Sequence, residues 1–378
     1  MKEKTYEKER AFLSPYATKS YESKGRLREE PACPMRTDFQ RDRDRIIYSK
    51  AFLRLKNKTQ VFFAPDGDHY MSRLTHTLDV SQIARSLARC LSLNEDLAEA
   101  IALGHDLGHT PFGHVGERVL ASLNPAGFRH SEQSLRVVDV LEKDGRGLNL
   151  TFEVRNGIVN HTKSGNPATL EGAAVSLADR IAYINHDIED AIRAGVIREE
   201  ELPAEAVKVF GRDTSARINT AILDIYETSK DKPYVRMSEE KGRALDNLRS
   251  FMFEHVYEHA NRLIQESAER MLRALYGYFY ERPEELPDLY RRTAETDAAR
   301  AVCDYLSSMS DRYAINVFKK LFVPREGSVL RTSPRLSANS KKRTILWKSS
   351  AAISRSNGEG TTIGLAVPST TKRRPPSP

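Results

Sequence analysis

The stretch that decides the fold runs from residue 98 to residue 117, AEAIALGHDLGHTPFGHVGE. Its first half repeats apolar residues at helical spacing, and Gly104 and Gly108 interrupt that pattern where His105 and Asp106 stand side by side. Adjacent side chains cannot share a mid-helix face, but at a helix end they can converge on one ligand. Upstream, Asn94 followed by Glu95 and Asp96 predicts a capped helix that runs to about Gly104. The two glycines mark places where the backbone lets a ligand approach closely.

Working outward, the same period recurs. Ile47, Ala51 and Leu55 repeat every four residues with Tyr48 and Phe52 beside them, and Leu74 to Leu93 repeats apolar residues at three and four. Thr169 to Ala194 is the cleanest helix, with Pro167 upstream, no internal proline and Gly195 as its stop. Leu245, Leu248, Met252 and Val256 mark another that continues toward Tyr280, and Ala299 to Phe322 reads as a last one. Two-residue alternation is scarce, so the fold class is all-α. Residues 1–36 read as a polar arm punctuated by Pro15, Gly25, Pro31 and Pro34, lying over the body or a partner subunit. Residues 37–200 read as the catalytic core, 201–324 as a C-terminal helical region packed on it, and 325–378 as a basic disordered tail.

The formal charge of the 378 residues is +7, yet residues 1–324 carry 48 basic against 50 acidic groups. The excess sits in residues 325–378, which hold 11 Lys and Arg, 2 acids, 10 Ser and 6 Thr. A main body without a basic surplus argues against a duplex-gripping face, although the tail leaves nucleic-acid binding open. The tail reads either as a genuine extension or as a frameshift or readthrough product. No apolar run approaches the ~20 residues of a membrane-spanning helix, and MKEKTYEKER lacks a signal-peptide core, so the expectation is a soluble cytoplasmic protein. Cys33, Cys90 and Cys303, without a CxxC pair, read as reduced and mostly buried thiols.

Eight of the ten histidines fall between His69 and His186. One histidine alone is ordinarily a buried, hydrogen-bonded group, but this crowding asks for a shared purpose. His76 in RLTHTLDV, His105 with Asp106, and Asp179 in SLADRIAYINHDIEDA make a two-His, two-Asp set. That mixed nitrogen and oxygen set suits one divalent ion, Mn or Mg first, with Fe, Co, Ni and Zn as alternatives. His114 and Glu117, three apart, share a helical face on which the carboxylate fixes the imidazole tautomer. Tyr183, His186 and Asp187 follow Asp179 along one face of its helix. Arg73 lies one turn before His76, and Arg180 follows Asp179 directly. Arg41, Arg43, Arg45, Arg54, Lys56 and Lys58 form a second basic group, which the interleaved Asp42 and Asp44 also allow to be a salt-bridged helix. His109 is assigned to support the phosphates or the metal ligands, His69 and His161 to lie behind them, and His255 with His259 to be a surface pair on a distant helix.

The H…HD…D spacing is the signature of HD-domain metal-dependent phosphohydrolases. Beyond it, SPYATKSYESKGR, RTDFQRDRDRIIYSKAFLRLKNKTQVF, DHYMSRLTHTLDV, ALGHDLGHTPFGHVGE, FRHSEQSLRVV, LADRIAYINHDIEDA and MSDRYAINVFKKLF resemble the bacterial deoxyguanosinetriphosphate triphosphohydrolase-like proteins over residues 11–324. The resemblance implies the HD-domain helical fold with additional C-terminal helices. It implies hydrolysis of a deoxynucleoside triphosphate (dNTP) to deoxynucleoside and triphosphate. His114 would stand in line with the attacked phosphorus, and His130 would protonate the leaving 5′-oxygen. Arg54, Arg73 and Arg180 would serve the substrate. Tyr183 would pack on the deoxyribose and exclude a 2′-hydroxyl, and Gln60 and Asp187 would take the 3′-hydroxyl. It further implies a homo-oligomer in which one dNTP activates cleavage of another. Leu53, Asn57 and Met71 depart from the basic or histidine residues usual at those places, which bears on base preference. Another HD phosphohydrolase such as a 5′-nucleotidase, and a non-catalytic nucleotide sensor or nucleic-acid binder, are the alternatives.

Overall fold

The computed structural model describes residues 1–60, 70–257 and 262–324. The principal helices are α1 (Lys2–Phe12), α2 (Asp38–Ile47), α3 (Arg73–Cys90), α4 (Glu95–Gly104), α5 (Gly113–Leu123), α6 (His130–Arg136) and α7 (Phe152–Val159). They are followed by α8 (Leu170–Arg193), α9 (Thr214–Ser229), α10 (Glu239–Met252), α11 (Arg262–Glu281), α12 (Ala298–Ser307) and α13 (Asp311–Phe322). Among the described residues there is no strand, only the isolated bridges Arg26–Thr151 and Thr59–Ser72. The fold is all-α.

α8 is the axis. Ala174, Val175, Ala178, Ile181, Ala182, Ile184, Ile188 and Ala191 are all buried on it, and the alanines let α3 and α4 approach closely. α4, buried along its last five residues, is sandwiched between α8, α3, α2 and α7. Its ends follow the local chemistry: Asn94 Oδ1 accepts the Leu97 N–H at 3.2 Å, and Gly104 closes it. α8 starts likewise, with Thr169 Oγ1 accepting the Gly172 N–H at 3.1 Å, and Gly195 at φ +70° ends its run. The role expected of Gly104 and Gly108 changes. A Cβ on Gly104 would sit 2.6 Å from Ile158 Cδ1, and one on Gly108 would sit 2.1 Å from the Ser134 backbone nitrogen. Both glycines serve helix packing against α7 and α6, not the approach of a ligand.

Three expected elements differ. Residues 2–12 form a helix, because KEKTYEKER is rich in good helix formers despite being polar. The segment after it is tied to its own chain: Glu9 accepts from Ser20 N at 2.8 Å, Glu171 from Thr18 N at 3.0 Å, and Glu153 from Lys24 N at 2.7 Å. The span 299–322 is two helices, since Ser310 accepts the Tyr313 N–H at 3.3 Å and restarts the chain as α13. The helix toward Tyr280 passes from α10 into a π-type segment, Phe253–Tyr257, and α11 begins at Arg262. Of the cysteines only Cys303 is buried; Cys90 is exposed and Cys33 lies between. The tail lies outside the described residues, as do His69 and His259. No described helix is long and apolar enough to cross a membrane.

Candidate active site

Three helices bring the ligand set together. His76 comes from α3, His105 and Asp106 from the end of α4, and Asp179 from the middle of α8. His76 Nε2 lies 3.1 Å from Asp179 Oδ1, and His105 Nε2 lies 3.6 Å from Asp106 Oδ1 and 3.7 Å from Asp179 Oδ1. The ligand atoms of His76, His105 and Asp106 fall within 4.8 Å of one another, and all three residues are buried. His105 Nδ1 donates to the Ala102 carbonyl at 2.6 Å, which fixes the tautomer and turns the Nε2 lone pair into the site. That Nε2 is buried without a protein hydrogen-bond partner. A buried unpaired acceptor facing two carboxylates is costly unless a cation completes it, so these residues fit a divalent metal. Burial opposes the charge on Asp179, but the His76 hydrogen bond and nearby histidines hold its pKa down at about 2. Burial works against the Asp106 carboxylate as well, and His105 and Arg73 outweigh it, keeping the group ionised. Arg73 Nη1 donates to Asp106 Oδ2 at 2.5 Å.

Beside this cluster runs a histidine relay. Glu117 on α5 accepts from the His130 backbone N–H at 2.8 Å and from His130 Nδ1 at 2.9 Å, whereas His114 Nδ1 stands 3.5 Å from its second oxygen. The sequence paired Glu117 with His114; in the fold its closer partner is His130. His161 Nδ1 donates to the Ile158 carbonyl at 2.7 Å, so its Nε2 is an acceptor, 3.2 Å from His130 Nε2. Both His130 nitrogens therefore donate. Burial alone would neutralise His130, but Glu117 raises its pKa above the usual value, which favours the imidazolium. Burial likewise opposes the Glu117 charge, and its bonds to His114 and His130 hold it well below the carboxylate range. His109 stacks on His130 with ring centroids 4.5 Å apart, and burial keeps it neutral. Burial also takes His161 down to about 4.

The cleft above these groups has a volume of about 220 Å³. Its lining includes Gln60, Arg73, His76, Asp106, His109, His114, His130, Asp179, Arg180, Tyr183 and Asp187. Lys163, Arg249, Phe253 and Tyr257 complete the wall, residues the sequence did not single out. Asp246 on α10 takes Arg180 Nη2 at 3.1 Å and Lys163 Nζ at 2.8 Å, so one carboxylate is shared by two cations. The Tyr257 hydroxyl donates to Asp187 Oδ2, and burial pushes the Asp187 carboxyl up to about 7. Tyr183 is pushed up to about 12, also by burial.

Other expected groups stand elsewhere. Arg54 does not line the cleft and reaches Glu142 at 3.6 Å. Lys58 is buried and spends its ammonium on the carbonyls of His109 and Ser307. Arg41 and Arg45 pair with Glu30, and Arg43 with Glu99, so the second basic group is structural. His186 shares the face of Asp179, but α3 covers that face one turn on, and His186 Nε2 meets Asp79 Oδ2 at 2.6 Å. His255 is exposed and stacks on Phe251, yet its segment is not distant, because Phe253 and Tyr257 line the cleft.

Comparison with known proteins agrees with this architecture. A family model for the HD domain matches residues 73–184, and one for a phosphohydrolase-associated domain matches residues 235–320. Proteins named deoxyguanosinetriphosphate triphosphohydrolase-like protein are similar over most of their length. That of Caldanaerobacter subterraneus subsp. tengcongensis is 56% identical over 86% of this chain and 96% of its own. Those of Clostridium perfringens, at 47% over 84% and 96%, and Desulfatibacillum aliphaticivorans, at 45% over 86% and 98%, follow. With the ligand set on three packed helices and this identity over most of its length, the chain belongs to the deoxyguanosinetriphosphate triphosphohydrolase-like family of HD-domain phosphohydrolases.

Proposed function

We propose that the protein hydrolyses deoxynucleoside triphosphates to deoxynucleoside and inorganic triphosphate. The observation that carries this reading is one cleft lined by His76, Asp106 and Asp179, by His130 on its Glu117 partner, and by four cations, Arg73, Lys163, Arg180 and Arg249. A triphosphate brings about four negative charges, which need fixed donors in a site that sheds water. A monophosphate would engage fewer of these cations than a triphosphate, which favours this reading over a 5′-nucleotidase. Held by His76, His105, Asp106 and Asp179, a divalent cation supplies Lewis-acid polarisation of a phosphoryl oxygen.

The chain's own groups do the rest. Water adds to the α-phosphorus and the bond to the 5′-oxygen breaks, so the leaving oxygen needs a proton. His130, whose pKa is raised by its pairing with Glu117, gives that proton, and His114, 3.5 Å from the same Glu117, is the proposed in-line group that takes the proton of the attacking water. Gln60 Oε1 is buried and free of a protein partner, and Asp187 keeps its proton to near neutral pH, so the two are suited to a 3′-hydroxyl. Tyr183, which lines the cleft, is the group proposed to pack on the deoxyribose and exclude a 2′-hydroxyl.

The test is to incubate the purified protein with each dNTP and with Mn or Mg, and to identify products by phosphorus NMR. Inorganic triphosphate supports the proposal. Nucleoside monophosphate with pyrophosphate, or turnover of dNMP alone, overturns it. A four-by-four matrix of dNTP substrate against dNTP activator then sets base preference and activation.

A further inference from the structure

Asp311 opens α13 within MSDRYAINVFKKLF, far along the chain from the groups that line the cleft. Its carboxylate accepts three hydrogen bonds from two other segments. Oδ2 takes the Thr59 backbone N–H at 2.9 Å and also the Thr59 hydroxyl, and Oδ1 takes the Phe112 backbone N–H at 2.9 Å. Each segment is one or two residues from the site: Thr59 precedes Gln60, and Phe112 precedes the Gly113–His114 start of α5. Phe112 has φ 60° and Gly113 φ +54°, so the chain enters α5 through two left-handed residues. For a bulky residue that conformation persists only where its surroundings hold it. No side chain caps α5 at this end. A carboxylate suits the junction because it offers two acceptor oxygens and no donor to three converging donors.

We propose that Asp311 is a positioning residue that fixes, through Thr59 and Phe112, the placement of Gln60 relative to the His114–Glu117 turn. The inference rests on the reading that the cleft binds and hydrolyses a dNTP. Asp311 does not line the cleft, and it acts through two arms with separable effects. The Thr59 arm sets Gln60 and so nucleotide affinity. The Phe112 arm sets the entry of α5, and with it the distance of Glu117 and His114 from the reacting phosphorus, where small misplacements are costly.

The experiment compares full-length wild type with Asp311→Asn and Thr59→Val by dNTP kinetics and hydrogen–deuterium exchange. Asparagine supplies one acceptor and one donor group, so in either orientation an NH2 confronts an N–H and one arm is lost. The expected result is a fall in kcat of about tenfold or more at an unmoved pH profile, with faster amide exchange across residues 112–117. Thr59→Val removes only the hydroxyl bond and should raise KM more than it lowers kcat. Wild-type exchange across 112–117 together with kcat within about twofold in Asp311→Asn overturns the proposal, as does a kcat loss that tracks only the folded fraction. If Asp311→Asn fails to fold, an unchanged KM in Thr59→Val overturns it. Should the wild type turn over no dNTP, the functional reading falls, while the exchange comparison still decides the role of Asp311.

Discussion

Two buried polar clusters in this molecule differ in one respect. Around Arg26, near the chain's start, the guanidinium is bound by Glu30 at 3.0 Å, Asp38 at 3.0 Å and Asp42, while Asp42 also accepts the Thr151 N–H at 2.7 Å. Its ionised groups all have partners, although Thr151 Oγ1 beside them does not. Around His105, by contrast, His105 Nε2, Gln60 Oε1, Arg73 Nε and Arg180 Nε are buried without a protein partner. Burying polar atoms unpaired costs about 1–3 kcal/mol each, a cost that folding alone would not retain. A saturated cluster holds the fold, and an unsaturated one is shaped for something that is not the protein.

The largest effect that separates the two is loss of a ligand residue. His105→Ala should abolish turnover, and the rise in Tm that Mn gives the wild type, about 2.7 kcal/mol of stabilisation at a hundredfold excess over Kd, should vanish. Thermal scans with and without Mn check this, and an undiminished metal shift in the variant would break the comparison. Next comes Glu117→Gln, which removes the charge that keeps His130 protonated. A loss of about 10²–10⁴-fold in kcat is expected with Tm little changed, because general acid catalysis contributes on that scale. In the saturated cluster the effect moves to stability. Asp42→Ala takes from Arg26 one of its three carboxylates and leaves the buried Thr151 N–H without its acceptor, at a cost of about 1–3 kcal/mol in denaturant unfolding, with activity per folded molecule unchanged.

How much of this was open to the sequence follows from the same distinction. The candidate metal ligands stand out because metal chemistry restricts residue type, and caps and period place them on α3 and α8 and just past the end of α4. The starts of α4 and α8 were readable from local chemistry, as Asn94 and Thr169 show. Partnership is what a one-dimensional reading lacks. Arg54 and Arg180 are alike in sequence, but Glu142 claims one and the cleft keeps the other. Lys58 belongs by sequence to the second basic group, but the fold sets the Ser307 carbonyl, 249 residues on, 2.8 Å from its ammonium. Asp79 escaped notice because a single acid one turn after His76 signals nothing until His186 is seen opposite. Arg249 and Tyr257 sit in a helical stretch whose period speaks only of packing.

The smallest effect sharpens the comparison within the cleft itself, at Asp187. Burial outweighs the Tyr257 hydrogen bond and sets this carboxyl at about 7, above its ordinary 3.8. Below that pH the group keeps its proton and can donate to the 3′-oxygen; above it, the carboxylate only accepts. KM for a dNTP should therefore change as pH passes through about 7, and Asp187→Asn, neutral throughout, should flatten that dependence while keeping a donor. The sign for stability is fixed by linkage. The folded state holds this proton more tightly than the unfolded state, so its contribution is fully present below about pH 4 and declines as pH rises toward 7. Unfolding measured from pH 5 to 8 should show wild type losing stability relative to Asp187→Asn up to about 7 and holding level above it. Parallel curves in both proteins would mean that Asp187 is already ionised, and that it belongs with the saturated groups.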